Sequence, residues 1–282
     1  MTGRLVFLDI DGTLCDSSKH IPPSAVEAIR TARTNGCHVF IDTGRALPQI
    51  GRNILDIGFD GIISSAGARI DINGTLLQDR FLDKTTVTQV ADMFDRLGIN
   101  HMWQSSQGLW ASPGYLRLIE RIRRDIDPGY GGDQWRSLTA ARQEATRSGV
   151  PLGEIMPASK CTFHAPPDST ITLDQIRRLV GDRLHIVEGS MGLDAPANGE
   201  GMIPGIDKGT GLTTVAAHYG IRVEDTIAFG DSENDLEMIQ TAGIGIAMGN
   251  ATPQLTHVAD LTAPHVDDDG IARMFAQLEL TH

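Results

Sequence analysis

The sequence predicts an α/β fold, a doubly wound parallel sheet with a second, α+β domain inserted into it. Three observations predict this. The first 70 residues alternate short apolar runs with amphipathic stretches, the pattern of strands joined by helical crossovers in a parallel sheet. From about residue 68 the pattern changes to hairpin signals mixed with isolated helices. Near residue 208 the strand–helix alternation returns. The expected division is a core built from residues 1–82 and 196–282, with 83–195 as the insert.

Residues 4–9 read as a buried strand. Residues 23–35 read as a helix, with Ala and Ile on one face and Gly36 past its end. Residues 37–41 form a second apolar strand, 46–57 a helix closed by Gly58, and 61–64 a third strand. Residues 68–78 alternate around Asn73-Gly74, a strong short hairpin signal. Within the insert, 84–97, 114–126, 134–148 and 172–180 are predicted helices, and 161–164 and 184–187 strands. The Gly/Pro-rich stretch 195–205 reads as the linker back. Helices are then expected over 208–219, 233–242 and 270–279, and strands over 226–229 and 244–248.

Composition narrows the function classes. The 24 basic and 36 acidic residues give a formal net charge of −12, against a nucleic-acid binder or a protein of anionic membrane surfaces. No apolar run approaches the roughly 20 residues that span a bilayer, and Met1-Thr2-Gly3-Arg4 lacks a signal-peptide core. Cys15, Cys37 and Cys161 are odd in number and widely spaced, with no Cys-x-x-Cys pair, so neither a disulfide framework nor a zinc site is expected. A cytoplasmic protein, monomeric or a small homo-oligomer, is the expectation.

Four separated pieces fall at predicted strand ends or helix starts, where ligands bind in open α/β sheets. They are Asp9-Ile10-Asp11-Gly12-Thr13-Leu14, Asp42-Thr43-Gly44-Arg45, Lys208 at a helix start, and Gly230-Asp231-Ser232-Glu233-Asn234-Asp235. Singly each is a common turn or a solvated charge. Two carboxylates one residue apart repel unless a cation or a proton offsets them. Together the pieces supply what phosphoryl transfer needs: a nucleophile, cations for the equatorial oxygens, an acid for the leaving oxygen and carboxylates for a divalent metal. The chain lacks the Gly-x-Gly-x-x-Gly and Gly-Lys signatures of dinucleotide and P-loop sites.

These pieces resemble the motifs of the haloacid dehalogenase (HAD) superfamily, most closely its Cof-like sugar-phosphatase branch. Ala247-Met248-Gly249-Asn250-Ala251, Ala259-Asp260 and Asp269-Gly270-Ile271 resemble it as well. The resemblance implies a Mg²⁺-dependent phosphatase acting on small phosphate esters. Asp9 would be the nucleophile that forms an aspartyl-phosphate and a metal ligand. Asp11 would be the general acid and base, its main-chain carbonyl a further metal ligand. Thr43 and Lys208 would hold the phosphate, and Asp231 would complete the metal site. Gly44, Arg45 and Asn234 would contact substrate, and Asp235 would stand behind Lys208. The insert, lying between Thr43 and Lys208, is similar to a C2-type cap, which selects the substrate. A phosphomutase and a non-catalytic phosphate-ligand sensor remain alternatives, although a sensor needs no nucleophile and acid together.

Three departures stand out. The branch carries Asn where Ser65-Ala66-Gly67-Ala68 has Ala66, Asp42 replaces a small neutral residue and either pairs with Arg45 or weakens anion binding, and the link 195–205 is long. Several other residues are better read as structure. Trp103, Trp110 and Tyr115 read as packing and His164 as a satisfied core histidine. Arg121, Arg123 and Arg124 read as a solvated face, Cys15 as no nucleophile, and Asp267-Asp268-Asp269 as a turn.

Overall fold

The computed structural model describes residues 4–125, 157–189 and 195–281, and the predicted helix 134–148 lies outside them. Among the described residues the strands are β1 (Leu5–Leu8), β2 (His38–Asp42), β3 (Gly61–Ser64), β4 (Arg69–Ile72), β5 (Thr75–Asp79), β6 (Asn100–Ser105), β7 (Gly108–Ala111), β8 (Lys160–His164), β9 (His185–Glu188), β10 (Asn198–Met202), β11 (Thr226–Gly230), β12 (Ile244–Ala247) and β13 (Leu261–Thr262). The helices are α1 (Pro23–Thr34), α2 (Arg52–Leu55), α3 (Lys84–Arg96), α4 (Pro113–Asp125), α5 (Leu173–Val180), α6 (Lys208–Tyr219), α7 (Leu236–Thr241), α8 (Pro253–Val258) and α9 (Gly270–Gln277). The chain divides into two compact units, one of Met1–Arg45, Ile50–Asp79 and Ile206–His282, the other of Ala46–Gln49 and Arg80–Gly205.

The first unit holds an eight-stranded sheet in the order β13-β12-β11-β1-β2-β3-β4-β5. From β13 to β3 every pairing is parallel, and β4 and β5 add an antiparallel hairpin at the edge. Strand β1 is central and fully buried, as its unbroken apolar run requires. On one face Phe7, Phe40 and Ile63 pack against Leu212 and Val215 of α6 and Met238 and Ile239 of α7. On β11, Phe229 lies 5.6 Å, centroid to centroid, from Phe275 of α9. The hairpin turns where predicted, with Asn73 and Gly74 at φ 49° and 76°, the positive values a two-residue turn demands.

The second unit is an antiparallel sheet in the order β7-β6-β8-β10-β9. Trp103, Phe163 and Cys161 pack with Val87, Val90 and Phe94 of α3 and Ile176 and Val180 of α5. Another cluster joins Met102, Leu109 and Ala111 to Tyr115, Leu116 and Ile119 of α4. Trp103 and Tyr115 are core residues, and Trp110 packs partly buried against the first cluster.

Two expectations are corrected. Residues 198–202 are not linker: β10 pairs with both β8 and β9 inside the second sheet. Its glycines are there because the neighbouring side chains need the space. A Cβ on Gly199 would enter the Phe163 ring, and one on Gly201 would meet Leu184 and the Cys161 sulfur. The predicted helix 46–57 is instead a 3-10 turn, Leu47–Gln49, followed by the single turn of α2. Gly51 between them is extended at φ −67°, ψ 151°, and Pro48 has no N–H for a longer helix. Helix α8 and strand β13 lie outside the elements the sequence predicts.

Candidate active site

Strands β2, β1 and β11 run side by side in parallel register, Leu8 facing both Ile41 and Phe229, so their carboxyl ends deliver their next residues to one edge. Asp9 follows β1, Thr43 follows β2 and Asp231 follows β11. Lys208 arrives from the first turn of α6, whose start is fixed by a capping box between Asp207 and Thr210.

Lys208 is fully buried and donates to Asp9 Oδ1 at 2.6 Å and to Asp235 Oδ1 at 2.5 Å. Asp235 Oδ2 accepts the main-chain N–H groups of Asp231 and Ser232, at 2.9 and 3.0 Å. Both Asp235 oxygens are therefore occupied, and it acts as the clamp that orients Lys208 and the loop 230–235. Burial raises Asp9 to about 7, helped by Asp235 and Asp11 and opposed by Lys208. Burial, with Asp9 and Asp235, raises Asp231 to about 8. Burial disfavours the charge on Lys208, but Asp235, Asp9 and Asp42 outweigh it and hold Lys208 protonated.

Asp11 points elsewhere. Arg45 grips it bidentately, Nε to Oδ2 at 2.7 Å and Nη2 to Oδ1 at 2.6 Å, and Lys19 Nζ lies 2.5 Å from Oδ1. Burial opposes ionisation, yet these two cations bring Asp11 down to about 2. Thr43 is buried, and its hydroxyl accepts the Arg45 N–H at 3.2 Å. Gly44 is buried between them. Asn234 bonds locally, accepting the Ser232 hydroxyl at 3.0 Å.

Asp42 does not pair with Arg45. Its carboxylate is fully buried with no hydrogen-bond partner, and burial raises its pKa well above the usual range. Ser65, Ala66 and Gly67 all take positive φ, 52°, 52° and 95°. At Ala66 this is the left-handed region that Asn tolerates better than Ala. Cys15 is buried, and burial pushes its thiol up to about 11, so no thiolate nucleophile forms there.

Three neighbours were not singled out from sequence. Lys19 belongs to a loop whose contact with Asp11 only the fold creates. Thr13 Oγ1 donates to Asp231 Oδ1 at 3.4 Å. Asn250 donates to the Gly12 carbonyl at 2.7 Å and accepts the Val266 N–H at 3.2 Å, tying the loop after β1 to the C-terminal segment. Thr13 and Asn250 do stand inside the quoted 9–14 and 247–251 motifs, the signals that could have found them. Gly12 has φ 80°, and a Cβ there would overlap the Asp231 carboxylate.

Oxygens of Asp9, Asp231 and Asp235 lie within 4.8 Å of one another. The donors are all carboxylates, the set preferred by hard divalent cations. The raised pKa values of Asp9 and Asp231 mark an excess of negative charge that a cation would relieve. The cluster therefore fits a divalent metal, Asp9 and Asp231 being its better donors because Asp235 is already hydrogen-bonded at both oxygens.

A buried carboxylate–lysine pair thus stands at the end of a central parallel strand, with a second acid two residues on. Residues 6–275 match the model of the haloacid dehalogenase-like hydrolases, and the chain belongs to that family. It is a phosphatase of that family. The 5-amino-6-(5-phospho-D-ribitylamino)uracil phosphatase YcsE of Bacillus subtilis is 27% identical, over 96% of this chain and 93% of its own. The HMP-PP phosphatase of Escherichia coli O157:H7 is 26% identical, over 89% and 86%. The phosphatase BT1666 of Bacteroides thetaiotaomicron superposes with a TM-score of 0.77 at 20% identity, covering 99% of this chain and 96% of its own. Among the described residues no helix is long and apolar enough to cross a membrane.

Proposed function

We propose that the protein is a Mg²⁺-dependent phosphatase that hydrolyses small phosphorylated metabolites, sugar phosphates among them, through an aspartyl-phosphate on Asp9. The observation that carries the reading is the buried Asp9 carboxylate, 2.6 Å from Lys208 and clustered with Asp231. A surface carboxylate of structural purpose would have neither the buried cation nor the acidic neighbour.

Asp9 attacks phosphorus in line, and Lys208, held by Asp235, neutralises the carboxylate before attack and the equatorial oxygens during it. Thr43, the main chain at Gly44 and Asn234 hold the phosphoryl group. Asp11 gives a proton to the leaving oxygen and takes one from the water that opens the acyl-phosphate. In the resting site Arg45 and Lys19 together hold Asp11 ionised, so both cations must turn toward the anionic substrate before Asp11 can take up a proton from solvent and pass it to the leaving oxygen. Asp9, Asp231 and the Asp11 carbonyl would hold Mg²⁺, which supplies Lewis-acid stabilisation of the phosphoryl oxygens. We assign choice of the leaving group to the second unit. The relatives named above, a 5-amino-6-(5-phospho-D-ribitylamino)uracil phosphatase and an HMP-PP phosphatase, support small metabolites as the substrate class.

The test is phosphate release from a panel of phosphorylated metabolites by wild type and Asp9→Asn, with Mg²⁺ and with EDTA. Release that needs the metal and disappears in Asp9→Asn is expected. Full activity in Asp9→Asn refutes the nucleophile, and equal rates in EDTA refute the metal.

A further inference from the structure

Lys19 touches the reaction above only through Asp11, yet the chain builds a loop to deliver it. The Asp16 carboxylate accepts the Ser18 hydroxyl and the His20 N–H, both at 2.8 Å. The Asp16 N–H donates to the His20 carbonyl and the Lys19 N–H to the Asp16 carbonyl, both at 3.0 Å. This closed turn holds Lys19 at φ 65°, an uncommon conformation for a residue with a long side chain. Its ammonium ends on Asp11 Oδ1, the oxygen that Arg45 Nη2 also reaches.

In the resting site Arg45 already grips both Asp11 oxygens, so Lys19 adds a second cation to a carboxylate that is already paired. An ammonium has three donors. One is on Asp11, and with the side chain 61% exposed the others face solvent. In a chain of net charge −12, a second cation beside the same acid is an arrangement to be explained. If Asp11 touches the leaving oxygen, a group held by Lys19 is linked to that oxygen through three consecutive contacts, one of them the 2.5 Å Asp11–Lys19 pair, so it lies within about 8 Å of it. That reach covers at most about six bonds along a leaving group.

We propose that Lys19 binds a second anionic group of the substrate, carried by the leaving group within about six bonds of the ester oxygen. The substrate class narrows accordingly to phosphorylated acids and diphosphates, whose shared chemistry is an anion close to the scissile bond. This rests on the phosphatase reading. Asp16 is then a positioning residue that acts through Lys19.

The experiment measures kcat and KM for three esters: 2-phosphoglycolate, methyl diphosphate and the neutral 2-hydroxyethyl phosphate. Wild type, Lys19→Met, Lys19→Arg and Asp16→Ala are compared, so the intrinsic reactivity of each ester cancels. Lys19→Met should lower kcat/KM for at least one anionic ester about tenfold more than for the neutral one, chiefly through KM, the size of a lost charge-assisted hydrogen bond. The ester that responds identifies the anion as carboxylate or phosphate. Lys19→Arg should keep most of the preference, and Asp16→Ala should lose part of it. Equal losses on all three esters, or none, overturn the proposal. If wild type releases phosphate from no ester at all, including a broad metabolite panel, the phosphatase reading fails and this inference with it.

Discussion

Replacing Lys208 with Met keeps a side chain of similar length and removes the cation from between Asp9 and Asp235. Both carboxylates are buried, at 4% and 0% exposure, and no other described cation is bonded to either. Stranding one partner of a buried pair destabilises by about 3–5 kcal/mol. A second route gives a similar size. A proton must take the place of the lost charge, and protonating a carboxyl of ordinary pKa near 3.9 at pH 7 costs about 4 kcal/mol. The folded variant then binds more protons than the unfolded chain, so its stability falls as pH rises, by about 1.4 kcal/mol per unit. Denaturant unfolding in EDTA at pH 5.5 and pH 8, with wild type alongside, measures this. Lys208→Met should be markedly less stable at pH 8 and much closer to wild type at pH 5.5. Adding Asp235→Asn should restore part of the stability without restoring turnover. A loss below about 1 kcal/mol at pH 8, or one independent of pH, would refute the argument that this cation balances the buried carboxylates.

Gly12→Ala should cost about 1–2 kcal/mol for a Cβ at positive φ and reduce turnover about 100-fold by displacing Asp231; wild-type rates would contradict the steric argument. Asp42→Ala should raise stability by about 1–3 kcal/mol by removing a buried carboxyl without partners. Because the folded-state pKa of Asp42 is raised, the gain should be larger at pH 8 than at pH 5, and the reverse order in thermal unfolding would refute it. His164 is buried with both ring nitrogens unpartnered, and burial lowers its pKa from 6.5 to about 4. Its charge is excluded from the folded state, so stability should be lost as pH falls from 6.5 toward 4, by up to about 3 kcal/mol. His164→Phe should flatten that acid limb, and an unchanged limb in acid titrations of stability would assign it to other groups.

The fold class was legible because local physics and global topology agree over most of this chain. The apolar run of β1, the Asn73-Gly74 turn and the start of α6 at Lys208 each act within a few residues, and the structure has each where the local sequence puts it. Reading failed where a residue's role depends on a distant partner. The glycines of β10 look like a linker until Phe163 and Leu184 are seen to fill the space they leave. His164 reads as a satisfied histidine, but its burial can be read from an apolar strand and its lack of partners cannot. The site divides in the same way. The four motifs place carboxylates and a lysine at strand ends, but residue type does not say which carboxylate is donor and which is clamp. Asp231 and Asp235 are four residues apart and chemically alike. What separates them is that the loop turns the Asp231 and Ser232 N–H groups onto Asp235 Oδ2 and places Lys208 on its other oxygen. Asp235 thereby has little left to offer a metal. Asp231, with one long contact from Thr13 and a pKa raised to about 8, carries the charge that a cation would relieve. Exchanging their roles would require moving backbone, not side chains, which is why the order of the motif matters as much as its composition.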